Sequence, residues 1–484
     1  MTSNIRAAPD LVLVDIADYV IDYQIGSEAA IGTASLCVMD TLACALEALD
    51  FPDCTRLVGP NVPGTIVPHG ARIPGTHYVL DPETAAFGFG CLIRWLDYND
   101  QFNAARSSHP SDNLAGVLML ADHLSCQRVA AGQAPFLMRD VLHYLIKAYE
   151  IQGCLGIENA FGKLGLMDQS LLSRVASSAV LTAMMGGSRE AVINAVSNAF
   201  IDASLMVYRR APNTGSRKNW ACAESILQAM RLARMAVQGE MGYPSVLTAK
   251  TYGFYDARFH GAPFTFQRPY GDYIIQHSNF KLVAAGMHSQ TAVEAAFRLH
   301  PMVKERLDDI ERIDIRGHES LVTVMHKTGP LHNPSDRDHC AQYIVAVGLI
   351  HGKLNPTDYE DEFASDPRID RLREKMVVEE CAAYTQGFFD PARRSSASSV
   401  QVWFRDGSST PRIEIEFPAG HVKRRADVIP VLRAKFEASL ARRFSAPRQA
   451  SILALFGDGT ALGRTPVNEF VSLLIPDAHG VATH

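Results

Sequence analysis

The sequence predicts a mainly α-helical domain followed by a smaller α/β domain, and three observations carry that reading. At 484 residues the chain is too long for one ordinary core. Through its first half apolar residues recur at the helical period in Ala-rich stretches. Beyond residues 243–273, where Gly, Pro and aromatic residues crowd together without a period, short segments alternate apolar and charged residues as strands do.

The elements follow in order. Val12, Ile16, Tyr19, Val20 and Tyr23 share one helical face. A second helix runs from Ser27 through Leu36, Met39, Leu42, Ala43 and Leu46, with Gly26-Ser27 as stop and N-cap between the two. Further helices are expected over about 84–97, 112–124, 137–152, 170–185, 189–205 and 219–238, with Ser111 and Asp112 as an N-cap before Leu114. A domain boundary belongs near residue 273. After it, Ile310 to Arg316 reads as a half-buried strand, and Val400–Phe404 with Ile413–Phe417 flank Asp406-Gly407 as a hairpin. Past Pro418 the helical period returns at Ile429, Leu432, Phe436 and Leu440. By pattern alone that segment either completes the second domain or packs back on the first.

Composition excludes several classes. With 47% hydrophobic and 20% charged residues the chain is globular. A net charge of −6 argues against nucleic-acid and anionic-membrane partners. Nine scattered cysteines contain no CxxC pair, so no disulfide framework, zinc site or iron–sulfur cluster is expected, and a reducing compartment fits. No apolar run is expected to reach the ~18 residues that cross a bilayer, and Met1–Asp10 is too short and polar for a secretory segment, so the expected location is cytoplasmic. Ser278-Asn279-Phe280-Lys281, Ser111-Asp112-Asn113 and Lys327-Thr328-Gly329 mimic the elements of penicillin-binding enzymes, but in the wrong order.

Several titratable groups stand out. His109 follows Asp97 by twelve residues across a loop of small and polar residues; alone, the pair reads as a surface histidine and a helix-capping aspartate. Arg209, Arg210, Arg217 and Lys218 surround Pro212-Asn213-Thr214-Gly215, either as an anion-binding loop or as a solvated basic one. His288 lies just past the boundary. Arg337 and His339, in an Asp-Arg-Asp-His run, read as a capped, exposed helix start, and Lys281 and Tyr343 are weaker candidates.

Ile93-Arg94-Trp95-Leu96-Asp97-Tyr98-Asn99-Asp100, followed by His109-Pro110-Ser111-Asp112-Asn113, resembles the signature segment of the methylcitrate dehydratases in the MmgE/PrpD family. Tyr149–Cys154, Arg210–Gly215, Arg217-Lys218, Arg268–Gly271, His288–Ala295 and Asp336–Cys340 are similar to that family in the same order. The resemblance implies a helical domain from residues 1–273 and 421–484, an α/β lid at 274–420, an active site between them and a homodimer. It implies dehydration of a 2-alkylcitrate such as 2-methylcitrate to the alkyl-cis-aconitate, with a small tricarboxylic acid as partner and neither metal nor cofactor. Asp97, His109, Lys218 and His288 would be catalytic, and Gln101, Ser107, Arg209, Arg210, Arg217 and Arg337 would bind substrate. The family also contains cis-aconitate decarboxylases, the enzymatic alternative; a non-catalytic tricarboxylate-binding protein is the other.

The chain departs from the family pattern beside these residues. Gln101-Phe102 stands where Thr-Trp is usual, Arg106-Ser107-Ser108 where Glu-Trp-Gly is usual, and Val283–Met287 where a Phe-Pro-Ala-Glu character is usual. Two indoles are thereby lost, which predicts a pocket opened for an alkyl group longer than methyl, suited to biosynthesis.

Overall fold

Apolar spacing in the first half produces the long helices α1 (Leu11–Asp22), α2 (Glu28–Ala48), α3 (Pro82–Arg94), α4 (Leu114–Ala130), α5 (Met138–Glu158), α6 (Ser170–Met184), α7 (Arg189–Ala199) and α8 (Arg217–Val237). The computed structural model describes residues 4–202, 204–457 and 459–477, so the ends of the expected helical domain, residues 1 and 484, lie outside the described residues. Starts follow local chemistry: Ser27 accepts from the Ala30 amide at 3.2 Å, and Asp81 caps α3 through the Thr84 amide at 2.9 Å, with Pro82 at the first helical position. Stops are less legible. Helix α1 ends four residues before Gly26, and α7 ends at Ala199 rather than 205.

Helix α2 is apolar on nearly every face and, contrary to expectation, is long and apolar enough to cross a membrane by composition. It is instead a core helix, with 67% of its most apolar window buried against its neighbours. Helix α8 lies against α6 and α3, which brings the start of α8 beside the end of α3. On α5, the buried Glu150 accepts the main-chain amides of Gly271 and Ile274 at 3.0 and 2.8 Å, tying the Arg268–Gly271 turn to the bundle. One turn on, a Cβ at Gly153 would lie 2.4 Å from Ile274, so the close approach of that turn requires glycine.

Past residue 283 a second core forms around a four-stranded sheet. Its strands are β1 (Ile310–Gly317), β2 (Met376–Glu380), β3 (Ser398–Phe404) and β4 (Ile413–Ile415), in the order β2-β1-β3-β4. Strands β1 and β3 pair antiparallel, Ile313 with Val402 and Ile315 with Val400, while β2 runs parallel to β1. Ile313 and Ile315 are buried on the same face, under α9 (Gln290–Val303) and α10 (Ala341–His351).

The returning C-terminal helix α11 (Arg425–Ala441) joins the first core, not the second. Val428, Leu432, Phe436 and Leu440 are fully buried there, each contributing roughly 1.5–3 kcal/mol of apolar burial. Lys435 adds a buried pin, 2.7 Å from Asp40 on α2 and 3.0 Å from the Tyr98 carbonyl. Where the chain passes into and out of the second core its two crossings touch: the Phe280 amide donates to the Gly420 carbonyl at 3.0 Å. A Cβ on Gly420 would fall 1.7 Å from the Phe280 carbonyl oxygen, so only glycine fits.

Candidate active site

The turn after α3 reverses sharply. Asp97 takes a left-handed φ of 47°, uncommon for a residue with a side chain, and its carboxylate meets Arg94 Nη1 at 2.6 Å. Asn99 holds the following loop closed by donating to Ser111 Oγ and Asp112 Oδ1 at 2.9 and 2.8 Å. Ser111 and Asp112 therefore tie the loop and do not cap α4, whose preceding turn is a short 3-10 segment, Pro110–Asn113. The same fold places His109 inside: it is 4% exposed, its amide donates to Gln169 Oε1, and its Nδ1 lies 2.8 Å from the Asp100 carbonyl. Because a carbonyl only accepts, Nδ1 carries the proton, and Nε2, 3.7 Å from Asp97, is left with its lone pair.

Asp97 is the hub. Lys281 contacts it closely and also donates to its carbonyl at 2.7 Å; Lys218 lies 4.0 Å away. Lys218 in turn pairs with Asp338 at 2.7 Å, and Asp338 holds His339 Nδ1 at 2.7 Å. Burial opposes ionisation of Asp97, yet Arg94, then Lys281 and Lys218, hold it well below the ordinary carboxylate range. Burial pushes Lys281 down to about 8, with Asp97 opposing. It lowers Lys218 as well, against Asp338 and Asp97.

Asp97, His109, His288 and His339 meet around a cavity of about 60 Å³. Arg106, Arg209 and Arg210 form one side, and Met287, Val324 and Met325 another. Asp168 braces the arginines, contacting Arg209 closely and Arg106 at 3.0 Å; despite its burial, these two keep it well below the usual carboxylate range. Among the described residues Arg210 has no carboxylate partner; it donates to the Arg209 carbonyl and grazes Met206 sulfur. Burial lowers all three histidines: His109 with help from Arg94 and Lys281, His288 with help from His318, and His339, to about 4, with help from Lys218. The site is a pocket of neutral imidazoles among cations. Larger hollows exist, about 360 Å³ beside Trp95 and Tyr359, about 800 Å³ beside Asp18 and Tyr23, about 470 Å³ beside Lys327 and about 340 Å³ beside His277 and His421. The last also sets imidazoles among cations, Arg393, Arg394 and Lys423, but has no carboxylate in its lining.

Asp97, Asp338 and His339 have the donor types and spacing of a metal site. The residues do not fit one, because Arg94, Lys218 and Lys281 already fill the positions a divalent cation would need. The MmgE/PrpD N-terminal domain matches residues 14–267, and the MmgE/PrpD C-terminal domain matches residues 283–456. The chain belongs to the MmgE/PrpD family. Among MmgE/PrpD relatives, a 2-methylcitrate dehydratase of Salmonella typhimurium is 52% identical over 98% of this chain and 99% of its own length. One from Cupriavidus necator is 51% identical over 97% and 98%. A mitochondrial 2-methylcitrate dehydratase of Yarrowia lipolytica is 46% identical over 98% and 92%. The C-terminal match runs to residue 456 and so takes in α11, which packs with the first core.

Of the residues expected from sequence, Asp97, Ser107, His109, Arg209, Arg210 and His288 line the cavity, and Lys218 is ion-paired to the cluster. Three stand elsewhere. Gln101 is buried in a main-chain bridge to Asn279. Arg217 is exposed and stacks on Trp220 and Tyr208. Arg337 is held by the Tyr359 carbonyl and Asp361. The Asp336–His339 run is buried, not the exposed turn expected. Where the family's two indoles would stand, Phe102 is fully buried, and Ser107, which lines the cavity, closes a turn on Ala104 through its hydroxyl. Arg94, Arg106, Gln169, Asp338 and His318 were missed. Arg94 sits inside the signature segment, Arg106 in the segment that departs from it and Asp338 in the Asp336–Cys340 match, whereas Gln169 and His318 carry no local signal.

Proposed function

We propose that this protein is a hydro-lyase that dehydrates 2-methylcitrate to 2-methyl-cis-aconitate by side-chain acid–base chemistry. One observation carries the reading. Counting the side chains named above that line the cavity or are ion-paired to those that do, six cations (Arg94, Arg106, Arg209, Arg210, Lys218, Lys281) face three carboxylates (Asp97, Asp168, Asp338). The excess of three positive charges matches a tricarboxylate. Arg94 Nε and Arg106 Nε are buried without a hydrogen-bond partner among the described residues, donors that an anionic guest would satisfy. The relatives' activity points to the same substrate.

The elimination needs a base for the carbon-bound proton beside one carboxylate and an acid for the hydroxyl on the next carbon. His109 Nε2, neutral and open, is the base. His288, from the opposite wall, protonates the departing oxygen, so one C–H and one C–O bond break, a C=C bond forms and water leaves. The incoming trianion raises the depressed imidazoles, so that His288 takes up a proton from solvent and becomes the imidazolium the acid step requires. The proton His109 takes up leaves to solvent and His288 Nε2 takes one back once product departs, which resets the site; Asp97, 3.7 Å from His109 and 3.6 Å from His339, favours the charged form of those two rings.

The small cavity favours methyl, and a longer alkyl chain would require Met287 and Met325 to repack. A homodimer, an α/β segment that acts as a lid, and a reducing, cytoplasmic setting for nine free thiols complete the proposal. Mass-spectrometric assay of chelator-treated protein with 2-methylcitrate and a hexyl homologue tests it. Loss of water from the methyl substrate is expected; release of carbon dioxide instead would make the protein a decarboxylase, and melting shifts without turnover would make it a binding protein.

A further inference from the structure

Each cavity histidine is engaged at Nδ1. The partner is a carbonyl for His109, at 2.8 Å, and a carboxylate for His339, at 2.7 Å; for His288 it is the Nε2 of another imidazole, His318, at 3.0 Å. The first two partners only accept, so they place the proton on Nδ1 and leave Nε2 to the cavity. An imidazole can accept or donate, so for His288 the outcome depends on His318.

His318 is built to hold one orientation. It has no exposure, follows directly on β1, and stacks its ring on Phe388 at 4.5 Å with an interplanar angle of 9°. We infer that His318 is a positioning residue that accepts the Nδ1 proton of His288 and so keeps His288 Nε2 as the atom that exchanges a proton with substrate. Burial lowers His318 to about 4, so it is neutral and carries one ring proton. With Nε2 accepting, that proton sits on Nδ1, which makes no close hydrogen bond but feels the Ala397 main chain, an influence that favours a protonated ring. The charged and titratable groups around His288 besides His318 are His339, Arg210 and Arg106; none of them holds its Nδ1. If His318 donated instead, neutral His288 would carry its proton on Nε2 and lose the lone pair the return step requires. The arrangement does for His288 what a buried acceptor does for the histidine of a hydrolase triad, with a weaker base as the acceptor.

The inference rests on the dehydratase reading, and the test separates the two. Side-chain nitrogen NMR of histidine-labelled protein, with His288 assigned by loss of its signal in His288→Gln, is expected to show the Nδ1–H form. His318→Phe should scramble that form and lower kcat by ~10-fold or more, with KM within about two-fold and the melting temperature little changed. His318→Gln, whose amide oxygen can accept from Nδ1, should restore most of the rate. A wild-type His288 protonated on Nε2, or a His318→Phe enzyme with unchanged tautomer and rate, would overturn the role. Absence of wild-type turnover would sink the dehydratase reading alone, since the tautomer is read without substrate.

Discussion

The two walls of the cavity are built on different principles. The helical wall supplies positive charge: Arg94, Arg106, Arg209, Arg210, Lys218 and Lys281, all but Arg210 braced by Asp97, Asp168 or Asp338. The α/β wall supplies His288, His318 and His339 with the apolar Met287, Val324 and Met325. On the proposed reading one wall recognises an anion and the other moves protons beside it. His109 and Asp97 cross this division, since that reading makes them the helical wall's own proton-handling pair.

The sharpest way to break the comparison is Asp97→Asn, which removes the hub from both walls. Turnover should fall by ~100-fold or more, and stability by roughly 3–5 kcal/mol because buried cations lose their partner; rate and denaturant midpoint are measured together. Next, His109→Ala should lower kcat by ~100-fold with a smaller change in melting temperature, as expected of a base rather than a bracing charge. Arg210→Met should separate recognition from support. Lacking a carboxylate of its own, Arg210 is expected to raise KM by ~10-fold or more when lost while the melting temperature holds. The pH profile probes the same wall without mutation. Lys281 titrates near 8 in the folded protein, so its cation is present below that pH and lost above it, and kcat/KM should be level near neutrality and decline beyond about pH 8. The smallest effect belongs to Arg217→Ala, whose exposed side chain should change kcat/KM by less than about two-fold.

How much of this could be read in the sequence follows the same division. The helices were legible because burial writes a 3.6-residue period, and β1 and the hairpin because alternation writes a period of two. Strand β2, Met-Val-Val-Glu-Glu, was not, since its pairing with β1 lies some sixty residues away and five residues carry little pattern. At the site, Asp97 and His109 came from a contiguous signature. Lys281 appeared mainly within a false motif, and only the fold shows its ammonium on Asp97. Asp336–His339 was misjudged because alternating charge ordinarily marks a solvated turn, whereas here Lys327 and Lys218 neutralise it in the interior. His318 had no signal at all: a lone histidine after a strand gains its meaning from a partner thirty residues earlier.

The meeting of Phe280 with Gly420 has a topological consequence. A segment whose entrance and exit share one hydrogen bond is a closed parenthesis in the chain: its outer turns can be lengthened while the sentence around it, helices α1 to α8 and α11, still reads through, and contacts such as Lys218–Asp338 and Asn103–Ser396 keep it facing the cavity. Variation in such a lineage should therefore accumulate in the exposed turns of the parenthesis, away from His288, His318, Asp338 and His339, while Gly420 itself admits no substitute.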